Sequence, residues 1–290
     1  MKPVNSHMSS SFQPFKDSII KNFKNKPVVQ DIDLIRLDGE CIKSLIEVKK
    51  AKELDWKPYT KIFKPHLPVG RRDDINYKAL FALGKKMGVN VWVFHYVEDK
   101  LTEHGVACFK IVDIELNMTW RTYSDDGKTN RYSLEEIESV VTGTPSTGCA
   151  KRNSHTVKDF NNPNINKNQN NLFYFFQSND TAKHFYYVEC GGIWTMLISH
   201  PTSYEPIWLY IELDLALANL DLDDCDLKAE FFPQIEIHDK TGIPLSIICY
   251  DNNDLQRFTV YKYDEDEFHK QIMSRTDFID YYGAFIVLIN

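Results

Sequence analysis

The stretch DIDLIRLDGECIKSLIEVKK, residues 31–50, decides how the first third of the chain is read. Two runs rich in Ile, Leu and Val flank Asp38 and Gly39, a dipeptide that favours a tight turn, so two antiparallel strands are expected. Along the second strand Ile46 and Val48 project into a core while Glu47 and Lys49 project from the other face. Asp31 and Asp33 likewise share a face of the first strand. Whether the two acidic sets meet depends on register. A strict two-residue turn at Asp38 and Gly39 sets Asp33 opposite Ser44 and turns Glu47 to the wrong side of the sheet. A three-residue loop over 38–40, or a bulge, restores the parity and brings Asp31 opposite Glu47, with Asp33 diagonal to it. An irregularity is therefore expected in this hairpin.

Outward from the hairpin, residues 12–25 space Phe12, Phe15, Ile19 and Phe23 three and four apart, the pattern of an amphipathic helix. Downstream, Asp73 or Asp74 caps a second helix running to Met87. Its apolar stripe is Ile75, Ala79, Leu80, Leu83 and Met87, and Gly88 supplies the stop. Residues 89–97, VNVWVFHYV, are apolar on both faces, as in a central strand covered by helices. The order helix, hairpin, helix, buried strand describes an α/β unit with a mixed sheet. GVACFKIVDIEL reads as a further strand, and residues 133–141 as a short helix with Ser133 and Glu136 as a capping box.

The combination of acid, strand and Glu47-Val48-Lys49 resembles the PD-(D/E)xK nuclease superfamily, whose core order also matches residues 12–97. Acid-x-Lys is weak evidence alone. It occurs five times, at Glu47, Asp55, Glu98, Asp126 and Asp226, where composition gives about four by chance. Only Glu47 lies inside an apolar strand that follows an acid-led hairpin. The resemblance implies a restriction-endonuclease-like fold and Mg²⁺-dependent cleavage of DNA, with Mn²⁺ as a possible substitute. It implies Asp33 and Glu47 as metal ligands with Asp31 supporting, and Lys49 as the cation that positions the attacking water. Asp17 is a candidate extra acid. The motif's proline is missing, since Val29 and Gln30 stand in its place. Related folds serve restriction, phage defence, recombination and repair.

Charge agrees with this placement. The 290 residues carry 34 Lys and Arg against 41 Asp and Glu, a net -7. Residues 1–100 hold 19 basic and 12 acidic side chains, and residues 101–290 hold 15 and 29. A polyanion site belongs in the basic third. Lys50, Lys52, Lys57, Lys61, Lys64, Arg71 and Arg72, interleaved with Trp56, Tyr59, Phe63 and His66, form the expected DNA-tracking loop. A truncation near residue 142 is expected to keep that binding if the first module folds alone. Asp74, Asn76 and Tyr77 open a helix near such a site, although capping and packing account for them equally. His66 and His95 have no evident partners in sequence.

The division expected is a nuclease-like domain over 1–142, an Asn-rich linker or long loop over 143–171, and an acidic α+β domain over 172–290. The last region carries a weak echo of the first. KKMGVNVWVFHY matches DKTGIPLSIICY, and SLIEVK matches WLYIELD. If it is a degenerate copy, Glu212, Leu213 and Asp214 stand where Glu47, Val48 and Lys49 do, and an acid replaces the lysine. Such a copy suits a homodimer interface or a basic protein partner.

Six scattered cysteines without zinc spacing read as reduced thiols, and no apolar run reaches membrane-spanning length, so a cytoplasmic location is expected. Two plainer accounts stay open. The hairpin acids can be an ordinary polar face and the basic loop a solvated charge run. The chain can then be a non-catalytic nucleic-acid or protein-binding module on a nuclease-like scaffold. A dimeric junction resolvase is a further alternative.

Overall fold

A computed structural model describes residues 15, 19–23, 26–51, 74–97, 106–114, 120–123, 131–132, 137, 185–187, 189–190, 193–214, 227–251 and 253–285. The fold is mixed α/β and strand-rich, with two sheets and a few helices. In chain order the strands are β1 (Val28–Asp31), β2 (Leu34–Asp38), β3 (Cys41–Ala51), β4 (Asn90–Val97), β5 (Val106–Ile114), β6 (Trp120–Tyr123) and β7 (Arg131–Tyr132). They continue as β8 (Phe185–Tyr187), β9 (Glu189–Cys190), β10 (Ile193–Ser199), β11 (Pro206–Asp214), β12 (Leu245–Asp251), β13 (Asp254–Asp264) and β14 (Glu267–Ser274). The helices are α1 (Asp74–Met87), α2 (Leu227–Glu230), α3 (Phe232–Thr241) and α4 (Arg275–Phe285).

The chain forms two compact units that do not follow sequence order. The N-terminal unit takes residues 32–154 and 166–187; the C-terminal unit takes 1–31, 155–165 and 188–290. The continuous cut expected near residue 142 is thus replaced by an exchange. Strand β1, near the start of the chain, pairs with β10, and β8, just ahead of the C-terminal strands, pairs with β2.

In the N-terminal unit the strand order is β8-β2-β3-β4-β5-β6, with β7 also on β5. Neighbours are antiparallel except β3 and β4, which are parallel and joined through α1. Helix α1 buries Tyr77, Ala79, Leu80, Leu83 and Met87, while Ile75 is only half-buried. Gly88 ends it at φ +71°, where a side chain would be strained. Gly84 lets it approach β4 closely, since a Cβ there would lie 2.4 Å from Val91 Cγ2. Ile137 is buried; the rest of the helix expected over 133–141 lies outside the described residues.

In the C-terminal unit the order is β1-β10-β11-β12-β13-β14, with β9 also on β10. Only β11 and β12 are parallel, with α3 between them in sequence. The senses and the single crossover are those of the N-terminal sheet, strand for strand. The antiparallel pair that feeds each crossover, β2–β3 and β10–β11, carries one irregularity, at Arg36/Leu37 and at Ile198/Ser199. Gly242 ends α3 in the left-handed region, as Gly88 ends α1. Ser274 caps α4 by accepting from the Asp277 N–H, and its hydroxyl donates to the Asp277 carboxylate.

Phe15, Ile19 and Phe23 are buried as their spacing suggests, but in the C-terminal unit. Phe15 stacks on Tyr250 at 4.9 Å between ring centroids and meets Phe258 and Phe278 edge-on. The expected first helix of the nuclease-like core therefore serves the other core. The physical reason is that a short amphipathic segment and an edge strand specify burial but not which sheet edge receives them.

Candidate functional site

The hairpin holds the expected irregularity, with a different register. The turn residues are Gly39 and Glu40, between the pair Asp38 and Cys41. Gly39 has φ +60°, the conformation that a type II′ hairpin turn assigns to its first central position. A bulge follows, since Arg36 pairs with Ser44 but Leu37 with Ile42, leaving Lys43 as the extra residue. Beyond it the register Leu34 to Ile46 and Ile35 to Leu45 is regular. One further step brings Asp33, not Asp31, in line with Glu47, on the face shared by Ile35 and Leu45.

Both carboxylates are buried, Asp33 at 5% exposure and Glu47 at 1%. Asp33 Oδ2 accepts from the Val48 N–H at 2.6 Å. This is a charge-assisted bond to the residue between Glu47 and Lys49, and it orients the carboxylate against β3. Ile46 and Val48, on the opposite face, are buried as expected. Glu47 pairs with Val93 and Lys49 with His95 across the parallel β3–β4 ladder. The side chains of Lys49, Lys50 and His95 are outside the described set, as are residues 52–73 with Lys52, Lys57, Lys61, Lys64, His66, Arg71 and Arg72, and so is Asp17.

Asp31 is not brought to this pair. It ends β1 opposite Met196, in the C-terminal sheet, and the Gln30 amide donates to its carboxylate at 3.0 Å. The expectation of Asp31 opposite Glu47 is corrected by a chain that leaves one sheet at Asp31 and enters the other at Leu34. Two buried cations of the N-terminal unit went unnoticed in the sequence, Arg36 on β2 and Lys78 on α1. A buried charge demands a partner, and both carry polar or electrostatic interactions, as Asp33 and Glu47 do. Their flanking residues, Ile35 and Leu37 beside Arg36 and Tyr77 and Ala79 beside Lys78, are apolar, yet a lone charge in such a run reads as a solvated position rather than a buried one.

The C-terminal unit presents the same positions with other chemistry. Trp194 pairs with Glu212 where Asp33 lines up with Glu47, and Asp214 follows two residues on. Glu212 and Asp214 are buried. The Tyr250 hydroxyl donates to Glu212 Oε1. Burial first, then the Glu212 charge and this bond, raise the Tyr250 hydroxyl far above its ordinary range. Tyr210 is raised by burial, with Glu212 and Asp31 adding to it. These phenols stay neutral, and Glu212 is held by a proton donor.

Among the described residues no group of three or more His, Cys, Asp or Glu side chains could hold a metal ion. Asp33 and Glu47, both buried and one step beyond the Leu34–Ile46 pair, are the carboxylates that could hold an ion such as Mg²⁺, a hard cation that takes one or two carboxylates and keeps several waters. Cys41, Cys108 and Cys249 are free thiols. No helix among the described residues is long and apolar enough to cross a membrane.

No family model matches the chain and no curated protein matches it. A solved structure titled the C-terminal domain of sex pheromone staph-cAM373 precursor, from Staphylococcus aureus, aligns with 89% of this chain and 73% of its own. Identity is 13% and the TM-score is 0.16, too low to carry an argument about fold or function.

Proposed function

We propose that the N-terminal unit is a PD-(D/E)xK-type active centre on a restriction-endonuclease-like sheet, and that the chain hydrolyses DNA phosphodiester bonds with Mg²⁺ or Mn²⁺. The observation that carries this is the bulge. It aligns Asp33 with Glu47 on one face and lets Asp33 grip the Val48 amide inside the Glu-x-Lys segment. A polar hairpin face would not need its acids buried at 5% and 1%.

Asp33 and Glu47 would hold the metal. When bound, such an ion lowers the pKa of a water and stabilises charge on the scissile phosphate. Asp33 contributes a carboxylate already oriented by the Val48 amide, so little ordering remains for the bound state. Lys49 is assigned the role of holding the attacking water and offsetting developing charge. Lys50, Lys52, Lys57, Lys61, Lys64, Arg71 and Arg72 are assigned the DNA backbone.

The C-terminal unit is taken as a copy that has lost this chemistry. The shared strand order, the shared crossover and the paired irregularities support a common origin. Trp194 offers no oxygen ligand, and Asp214 cannot act as a cation. One site per chain follows.

The test is nicking of plasmid and single-stranded DNA, with RNA and branched DNA alongside, in Mg²⁺ or Mn²⁺. Wild type should cut while Glu47→Ala and Lys49→Ala do not. Equal cutting by all three proteins, or none by any, removes the catalytic claim and leaves the non-catalytic scaffold. Preference for branched DNA by a dimer would select the junction resolvase.

A further inference from the structure

The C-terminal unit contains a cavity of about 470 Å³ that the nuclease reading does not use. Its size falls in the ordinary range of small-ligand sites, about 300–1,000 Å³. It lies where β12 begins and β13 ends, between the C-terminal end of α3 and the last turns of α4. None of Asp33, Glu47 or Lys49 belongs to it.

Register places three anion-binding groups in a row on its floor. Ser246 pairs with Lys262 across β12 and β13, and Lys262 pairs with His269 across β13 and β14. Directly opposite residues share a face with Cβ atoms about 5 Å apart. A hydroxyl, an ammonium and an imidazole thus stand side by side. Lys262 makes no ion pair among the described residues, although residues 101–290 hold nearly twice as many acids as bases. Its ammonium lies instead over the Tyr281 ring, 3.8 Å from the centroid. A cation left without a carboxylate in an acidic region, at the wall of a cavity, fits an anionic ligand.

The hydroxyls there also have capacity in reserve. Trp208 Nε1 donates to Ser246 Oγ at 3.4 Å, and Ser246 Oγ lies 3.4 Å from the Tyr282 hydroxyl. The hydroxyl contact is well beyond the usual O–H···O separation of about 2.7–2.8 Å, and the indole contact is beyond the usual N–H···O separation of about 2.9–3.0 Å, so a ligand oxygen can improve on both. Above the row Tyr281 is 48% exposed, unusual for a large aromatic ring among the described residues. On the same strand face as Lys262, Asp264 stands one step further out, opposite Glu267. Its carboxylate can accept from a sugar hydroxyl and would repel additional phosphate groups.

The equivalent helix position shows why the cavity is specific to this unit. Four residues before the stop glycine, α1 has Gly84 packed against Val91, whereas α3 has His238, which lines the cavity. His238 Nδ1 is within 2.7 Å of the Ile243 carbonyl, which holds its ring in place.

We propose that this cavity binds a nucleoside monophosphate. The phosphate lies across Ser246, Lys262 and His269 and draws the Lys262 ammonium off the Tyr281 ring, the base takes the ring face so freed, and a ribose hydroxyl meets Asp264. The site goes beyond the proposed nuclease chemistry and fails or stands separately from it.

The experiment is calorimetric titration of the full-length Glu47→Ala chain in EDTA, so that metal-dependent binding in the other unit is silent. Titrants are AMP, GMP, CMP and UMP, then adenosine and inorganic phosphate. At least one monophosphate should bind at one site per chain, with its nucleoside and inorganic phosphate each about tenfold or more weaker. Lys262→Ala, His269→Ala and Tyr281→Ala should each weaken it about tenfold, while Lys262→Arg retains binding and Lys240→Ala leaves it unchanged. His269 and Tyr281 are exposed, so their variants keep the fold if the Lys262 variant does not. Absence of saturable binding at millimolar monophosphate would overturn the proposal. So would unchanged affinity in the His269 and Tyr281 variants, or inorganic phosphate binding as tightly as the nucleotide.

Discussion

The two units share strand order, sense, crossover and the position of an irregularity, yet differ at the residues where chemistry would occur. In one, Asp33 aligns with Glu47 and Lys49 follows. In the other, Trp194 faces Glu212, Tyr250 donates to that carboxylate, and Asp214 follows. The difference teaches that a buried carboxylate on this strand has two stable outcomes. On the proposed reading, a second carboxylate and a lysine make it a cation site, whereas beside an indole and phenols it is a buried group held by the Tyr250 hydroxyl. Elsewhere the divergence runs the other way, since Gly84 closes the helix against the sheet in one unit and His238 borders a cavity in the other.

The largest effect should come from cutting the chain. A fragment of residues 1–142 keeps β1 without its partner strand and loses β8, while the remainder loses Phe15 and β1. Neither should unfold cooperatively in urea. A permuted chain placing residues 166–187 ahead of residues 32–142 should do so. A cooperative 1–142 fragment with native-like circular dichroism would break the exchange. Retention of polyanion binding by a cut near residue 142 depends on that fragment folding alone, and the exchanged strands β1 and β8 work against this condition.

Next in size, if the proposed nuclease centre holds, Glu47→Ala should reduce DNA nicking by about 100-fold or more, since removal of a metal ligand would cost at least as much as removal of a supporting group. Glu212→Ala should leave nicking rates alone. Comparable losses in both would mean that the copy is not silent. Phe15→Ala should then destabilise the C-terminal unit by about 3–5 kcal/mol, read as a urea midpoint shift. A loss confined to the N-terminal unit would reverse the assignment of that segment.

Gly84→Ala is smaller. Alanine favours helix by about 1 kcal/mol, but its Cβ would meet Val91 Cγ2 at 2.4 Å, so a net loss of about 1–3 kcal/mol is expected. At His238, the equivalent position, alanine should cost less. The last contrast is with pH. Burial pushes the Tyr282 hydroxyl up to about 12, against the lowering effect of its Ser246 bond, and an unfolded tyrosine titrates near 10. A raised folded value means that this stabilisation is complete below about pH 10 and is lost as pH climbs towards 12. Urea midpoints should therefore fall above pH 10, and Tyr282→Phe should flatten that fall.

The hairpin, α1 and β4 were legible because their signals are local: alternation around Asp38 and Gly39, an apolar stripe, and a glycine stop. The need for an irregularity was legible too, as a three-residue loop or a bulge, if the hairpin acids were to share a face, and so was the preference for Asp33 over Asp31; the place of the bulge at Lys43 and the loss of Asp31 to the other sheet were not. The repeat was visible as an echo around Gly88 and Gly242. His238, Lys262 and His269 gave no signal, as they come together only across three strands and a helix.

By itself, then, the sequence determined the first hairpin, α1 and β4, which of their faces are apolar, and that basic and acidic chemistry lie in different parts of the chain. Those properties follow from side-chain period and composition, which act within a few residues. Only the tertiary structure decided that β1 and β8 trade sheets, leaving Asp31 in one unit and Asp33 in the other. Edge strands of three and four residues carry too little pattern to name their partner, and long-range packing around Phe15 and Tyr250 makes that choice.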